Sequence, residues 1–296
     1  MSHQSKKSLV RQVQERLVNK MSAGDSKHLD KRQEGVTSEK IYSYNTLRAY
    51  QKHACNFVKW AKNEHNCKTL EECHSYINEY LSQRAGRCSA WTVKLDAASL
   101  GKLYSESTTT YLPTPSRHRN EVVRSRKPAV RDRHFSESKN SKLVDFCRST
   151  GLRRSEVVAA RGTDLVPCRE SPCGLGIHVR NGKGGRERIA PIYSDQATLN
   201  TIKEMCVQAG DGKIFEKIPS CADIHSYRSD YCEKVYFANS RDLSTLSPKE
   251  VYICRGDRSQ IKLDRAALTT ASRALGHNRV SVIPSSYLYH LDKFAT

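Results

Sequence analysis

The chain has 296 residues, 37% of them hydrophobic, with a mean hydropathy of -0.68, a composition that suits two modest cores better than one large one. Its 50 Lys and Arg against 31 Asp and Glu leave a formal charge of +19, which calls for a polyanionic partner, either nucleic acid or an anionic membrane. The membrane is the weaker choice: no run approaches the ~18 apolar residues of a spanning helix, and the opening MSHQSKKSLVRQVQERL has no apolar signal core, so a soluble cytoplasmic protein is expected.

Residues 1–38 are polar and basic, with one weakly amphipathic run (Leu9, Val10, Val13, Leu17, Val18), and read as an N-terminal extension bearing a short helix. Residues 39–110 follow the helical period. Thr46 is the expected cap of a helix carrying Leu47, Tyr50, Ala54, Phe57 and Ala61. Thr69-Leu-Glu-Glu has the capping-box form and opens a helix with Cys73, Tyr76, Ile77 and Leu81. Ser89 opens a third, with Val93, Ala97, Leu100 and Tyr104. A small all-α domain is expected here.

Residues 111–131 break the pattern with prolines and a basic run. They read as an interdomain linker whose Arg117, Arg119, Arg124, Arg126 and Lys127 suit a phosphate backbone, although a solvated loop explains any single arginine as well. Residues 132–296 then mix element types. A helix around Leu143–Cys147 stops at Gly151 and resumes at Arg154. Leu175–Arg180 and Arg186–Ile192 read as strands about Asn181-Gly-Lys-Gly-Gly, a strong hairpin signal. Helices follow around Leu199–Val207, Ile224–Phe237 and Arg265–Leu275, the last stopped by Gly276. A second hairpin is expected about Gly256-Asp, and Pro284 precedes a final short helix carrying Tyr287. The 11 cysteines are scattered and contain no C-x-x-C, so they read as reduced thiols; neither a metal nor a cofactor is expected.

Singly, the motifs of this half are weak. Gly151-Leu-Arg153-Arg-Ser-Glu156 can simply join two helices, and an H-x-x-R such as His225-Ser-Tyr-Arg228 arises by accident in a chain this basic. Their order is what carries weight: GLRxSE, a strand–GKG–strand hairpin with Lys183, His225 and Arg228, Leu275-Gly-His277, then a tyrosine ten positions on. That succession resembles the tyrosine recombinase, or phage integrase, family, above all the integrases of phages and conjugative transposons of Gram-positive bacteria. The resemblance covers 132–296. More weakly, T-x-x-x-Y-x-x-x-x-x-x-F-x-x-W from Thr46 is similar to the family's helical core-binding domain.

The resemblance implies an α+β, mainly α, protein: a helical core-binding domain plus a DNA breaking-rejoining catalytic domain with a small antiparallel sheet. It implies site-specific recombination for integration or excision of a mobile element, through a 3′-phosphotyrosyl intermediate and a Holliday junction. The implied partners are double-stranded DNA and three further copies in a synaptic tetramer, with room for an accessory excision factor, in the bacterial cytoplasm near the nucleoid. Two guanidiniums suit the chemistry because they are permanently charged and grip two non-bridging oxygens of a five-coordinate phosphorus. By resemblance these are Arg153 and Arg228, with Arg154 the adjacent rival. His225 shares a helix face with Arg228 and is expected to orient the phosphate or accept the tyrosine proton. Lys183 matches the family's general-acid lysine, His277 is expected to hydrogen-bond a non-bridging oxygen, and Glu156 reads as a buried orienter.

Three departures stand out. The family's customary tyrosine spacing falls on Ser286; Tyr287 lies one position beyond it and Tyr289 three, which selects Tyr287 as nucleophile. His290 trails Tyr287 by three positions where relatives often show two. The stretch from Arg228 to His277 is about twice the usual length, so residues 240–264 read as an insertion. A type IB topoisomerase and a catalytically idle DNA-binding protein are the alternative functions; the short chain disfavours the first, and the full catalytic set the second.

Overall fold

A computed structural model describes residues 7–35, 39–118, 135–182 and 185–288. The chain divides into two compact units, Met1–Glu121 and Val122–Thr296, and the division falls inside the stretch read as a linker.

The first unit is helical: α1 (Leu9–Val18), α2 (Lys27–Glu34), α3 (Tyr44–His65), α4 (Leu70–His74), α5 (Ile77–Ala85) and α6 (Ala90–Tyr104). The apolar stripe of α1 is not idle. Leu9, Val13 and Leu17 are buried in one core with Phe57, Val58, Leu70, Leu100 and Leu103, so the segment read as an extension supplies part of this unit's interior. The cap of α3 is Ser43, three residues before the expected Thr46; Ser43 Oγ accepts from the Thr46 N–H at 3.2 Å. The single helix expected after Thr69 is two helices. Tyr76 leaves the helical conformation between α4 and α5, and its ring stacks on His65 with centroids 3.7 Å apart. That tertiary stacking overrides the local helical period. Asp96, on α6, is buried and holds His53 Nδ1 at 2.5 Å and Arg84 Nε at 3.0 Å, a polar tie among three helices.

The second unit contains α7 (Ser141–Thr150), α8 (Arg154–Ala159), β1 (Leu165–Pro167), β2 (Leu175–Val179), β3 (Arg188–Pro191), α9 (Gln196–Ala209), α10 (Ile224–Asn239), β4 (Val251–Ile253), β5 (Lys262–Asp264), α11 (Arg265–Ala274) and α12 (Val282–Ser286). Strands β1, β2 and β3 form an antiparallel sheet in that order, with Ile177 opposite both Leu165 and Ala190. The β2–β3 hairpin matches the sequence expectation. Strand β1 was not foreseen, being three residues long and ending in a proline. Strands β4 and β5 form the second expected hairpin, within 240–264.

This unit has two apolar cores. One gathers Val144, Phe146, Leu152, Val157, Ile177 and Ile202 between α7, α8, the sheet and α9. The other joins Tyr231, Val235, Leu263, Leu268, Ile283, Tyr287 and Leu288. Pro284 does not precede the last helix; it sits in the first turn of α12, where its missing N–H forfeits no helical bond, and Tyr287 caps the C-terminal end. All eleven cysteines are free thiols, and burial pushes that of Cys147 up to about 12. Among the described residues, no helix is long and apolar enough to cross a membrane, and no cluster of ligating side chains could hold a metal ion.

Candidate active site

The site lies where α7 ends, where α10 and α11 meet, and where α12 returns. Gly151 terminates α7 with a left-handed φ of 60°, and a Cβ there would lie 2.2 Å from the Tyr231 ring, so only glycine fits. This turn aims the Gly151 carbonyl at α10, where it accepts a hydrogen bond from Arg228 Nη1. Arg228 is 1% exposed. Its Nη2 donates to the Leu275 carbonyl at 2.5 Å and lies 3.4 Å from His277 Nε2, and its Nε donates to Tyr287 Oη at 3.2 Å. Apart from His277, these contacts are neutral oxygens. Burial therefore pushes the Arg228 guanidinium below its ordinary pKa; Tyr287 pulls it back up, and the neighbouring charge of Arg153 pushes it further down. The Glu156 carboxylate also pulls it up, through space; a buried cation whose bonded oxygens are neutral can still receive an anion.

Arg153 precedes α8 and reaches the same carbonyl, Nη2 donating to Leu275 O at 3.4 Å. Its Nη1 donates to Glu156 Oε1 at 2.7 Å. Glu156 is 5% exposed and accepts four bonds: two from Arg188, Nη1 and Nη2, at 3.0 and 2.9 Å, and two from Arg153, through Nη1 and the backbone N–H at 2.8 Å. Burial alone would raise its carboxyl. The hydrogen bonds and charge of Arg188, then the bonds from Arg153, outweigh burial and hold it at about 2. Glu156 is thus buried and bonded to both arginines. Arg154, the rival of Arg153, faces elsewhere and donates to the carbonyls of Pro219, Ser220 and Ala222 in the loop before α10.

Tyr287 is buried, and its hydroxyl lies 2.9 Å from His277 Nε2. His225, one helical turn before Arg228 on α10, stacks on the Tyr287 ring with centroids 5.1 Å apart and planes 8° from parallel. Arg228 also covers that ring, its guanidinium carbon 5.4 Å from the centroid. The sequence left His225 either to orient the phosphate or to accept the tyrosine proton; here His225 stacks on the ring, and the histidine within hydrogen-bond distance of the phenol oxygen is His277. Five of the six residues selected from the sequence, Arg153, His225, Arg228, His277 and Tyr287, therefore converge. The sixth, Lys183, lies outside the described residues, as does Tyr289. So do Arg119, Arg124, Arg126 and Lys127; Arg117 is described and exposed.

Sequence reading missed Arg188. Its signal was parity: Arg188 shares a strand face with the fully buried Ala190, so an arginine on the inward face of β3 needs a buried partner. Gly276, at φ 67°, makes room for it, since a Cβ there would lie 2.7 Å from Arg188 Cδ. Also missed were Arg186 and Arg273. With Arg153, Arg188 and His277 they line a cavity of about 180 Å³ whose one carboxylate is Glu187. That strongly basic mouth can accept a phosphate.

No protein-family model matches the chain, and no curated protein does. Among solved structures it is similar to the XerH site-specific recombinase bound to palindromic difH substrate in a post-cleavage complex, with a TM-score of 0.53 and 13% identity over 96% of this chain and 92% of that one. A pre-cleavage complex of XerH with difH gives 0.49 and 13%, over 97% and 94% of the two chains. The Tn1549 transposon integrase with circular intermediate DNA gives 0.45 and 12%, over 96% and 97%. The chain has the tyrosine recombinase fold: a helical unit followed by a mainly helical unit with a small antiparallel sheet.

Proposed function

We propose that the chain is a site-specific DNA recombinase that integrates or excises a mobile element, cutting double-stranded DNA with Tyr287. One observation carries the reading: a single phenol oxygen is held by Arg228 Nε at 3.2 Å and His277 Nε2 at 2.9 Å, beside a second arginine that shares the Leu275 carbonyl. A tyrosine phenol is almost wholly protonated near neutral pH, so attack requires a proton acceptor and a cationic setting that favours phenolate. His277 and Arg228 supply them. Arg228 donates to Oη, which leaves the hydroxyl proton for His277 Nε2 in its unprotonated form.

Tyr287 Oη then attacks the phosphorus of the scissile phosphodiester, and the bond from phosphorus to the 5′-oxygen breaks. The DNA stays joined to the protein through its 3′-phosphate. Arg153 and Arg228 offset the extra negative charge on the non-bridging oxygens, and Lys183 protonates the departing 5′-oxygen. In the second half of the exchange, the 5′-hydroxyl of a partner strand attacks the phosphotyrosine and returns the proton, so no energy source is consumed. Strand exchange between two sites takes four protomers and passes through a Holliday junction; an accessory factor for excision fits the same scheme.

The test is a plasmid carrying two copies of the sequence that the full chain selects from random duplexes. Recombined circles are expected. A relaxed but unrecombined plasmid indicates a topoisomerase, and binding without either product indicates an idle DNA-binding protein.

A further inference from the structure

The 240–264 excursion touches the tyrosine segment directly. Its base is locked by Asp264, whose buried carboxylate accepts from Arg241 Nε and Nη2 at 2.8 and 2.9 Å and from the Arg241 N–H at 3.1 Å. The same carboxylate caps α11 through the Ala266 N–H at 2.8 Å, and Arg241 Nη1 reaches Glu250 at 2.7 Å. From this base, β4 and β5 run out to a turn at Gly256–Arg258. At that tip Arg258 Nη1 donates to the carbonyl of Pro284 at 2.8 Å, three residues before Tyr287. Beneath this bond, Cys254, Ile261 and Leu263 of the excursion share a core with Ile283, Tyr287 and Leu288.

Helix α12 has five residues, too few to hold its shape unaided. Its ending is irregular as well. The N–H groups of Tyr287 and Leu288 both turn to the Ile283 carbonyl, at 3.0 and 3.2 Å, and neither takes that of Pro284. The Arg258 guanidinium does. A carbonyl that no described backbone N–H takes is thus tied to a hairpin whose base is fixed by an ion-pair network.

We propose that the excursion braces the nucleophile segment and that Arg258 is a positioning residue, holding Tyr287 Oη within reach of Arg228 and His277. This rests on the reading of Tyr287 as nucleophile. Without the Arg258 bond, α12 frays and the phenol spends less time in its attack position, while the surfaces that bind DNA are untouched.

The experiment uses the full chain with Arg258→Ala and Arg258→Lys, and a nicked suicide duplex bearing the sequence selected from random DNA. In Arg258→Ala, hydrogen exchange at the Tyr287 and Leu288 amides should accelerate about tenfold or more while amides of α7 and α10 keep their protection. Single-turnover cleavage at saturating duplex should fall about ten- to a hundredfold with unchanged half-saturation, since small displacements of a reacting group cost that much. Arg258→Lys, which keeps a donor, should recover part of both. Should the alanine variant fail to fold, Arg258→Gln is read in the same two ways. Weakened binding with intact cleavage at saturation would make Arg258 a DNA contact and overturn the proposal, as would unchanged exchange at Tyr287. If even the unmodified chain forms no adduct, the nucleophile reading fails, and the exchange measurement still decides whether the brace exists.

Discussion

Arg228 Nε lies 3.2 Å from Tyr287 Oη within one and the same chain. On the proposed reading the nucleophile and the cation beside it therefore belong to one protomer, which has a consequence in a multimeric synapse. Mixing Arg228→Ala protein with Tyr287→Phe protein should not restore cleavage, because no protomer then holds both groups. Activity returning to about a quarter of the unmodified level, as random pairing across protomers allows, would show that the tyrosine is donated between chains.

Arg153 and Arg228 share the Leu275 carbonyl; in the proposed mechanism they serve the non-bridging oxygens, whereas Lys183 serves the leaving group. Replacing the bridging 5′-oxygen by sulfur, which departs without a proton, should rescue Lys183→Ala substantially. It should leave Arg153→Ala and Arg228→Ala depressed by about 10² or more, the usual scale for losing a charge-stabilising donor. Equal rescue of all three would place the general acid on another residue.

Glu156 links stability to acid. Its carboxyl sits at about 2 in the folded chain against an ordinary 4.5, so its contribution is complete above 4.5 and disappears as the pH falls through about 2. A gap of that size corresponds to something on the order of 3 kcal/mol. Denaturant titrations of the unmodified chain should lose that stability across this window. Glu156→Gln should be less stable at neutral pH and flatter below 4.5; an unchanged slope would mean that the two arginines do not hold the carboxylate.

With a charge of +19, several phosphates should be neutralised per protomer. Affinity for duplex DNA should fall roughly 10³-fold or more between about 50 and 200 mM salt. Changing Arg117, Arg119 and Arg124 together to alanine should reduce the log–log slope if these residues follow the backbone. A slope equal to that of the parent would remove them from the interface.

The candidate cluster was legible because its residue types stand in the order that the tyrosine recombinase resemblance implies. Arg153, His225, Arg228, His277 and Tyr287 were all named through the family resemblance; Arg228 and His277 meet the phenol oxygen, His225 stacks on its ring, and Arg153 shares the Leu275 carbonyl with Arg228. Hairpins were legible from glycine-bearing turns between strand-like runs. What stayed hidden depends on tertiary partners. The break at Tyr76 follows from stacking on His65, and the role of Arg188 from a carboxylate 32 positions away. The choice between His225 and His277 as partner of the phenol turns on ring orientation, which no spacing encodes. Likewise Leu9, Val13 and Leu17 formed too weak a stripe to reveal that they complete the helical core.

Covalent capture tests the central claim most directly. Incubated with a nicked suicide duplex of its selected site, in the presence of a chelator, the chain should form an adduct that survives denaturing detergent and maps to a DNA 3′-phosphate. Tyr287→Phe should abolish it while binding the duplex nearly as well, since the ring still packs beneath His225 and Arg228. No adduct with the unmodified chain, or an adduct lost in Tyr289→Phe and retained in Tyr287→Phe, would contradict the account.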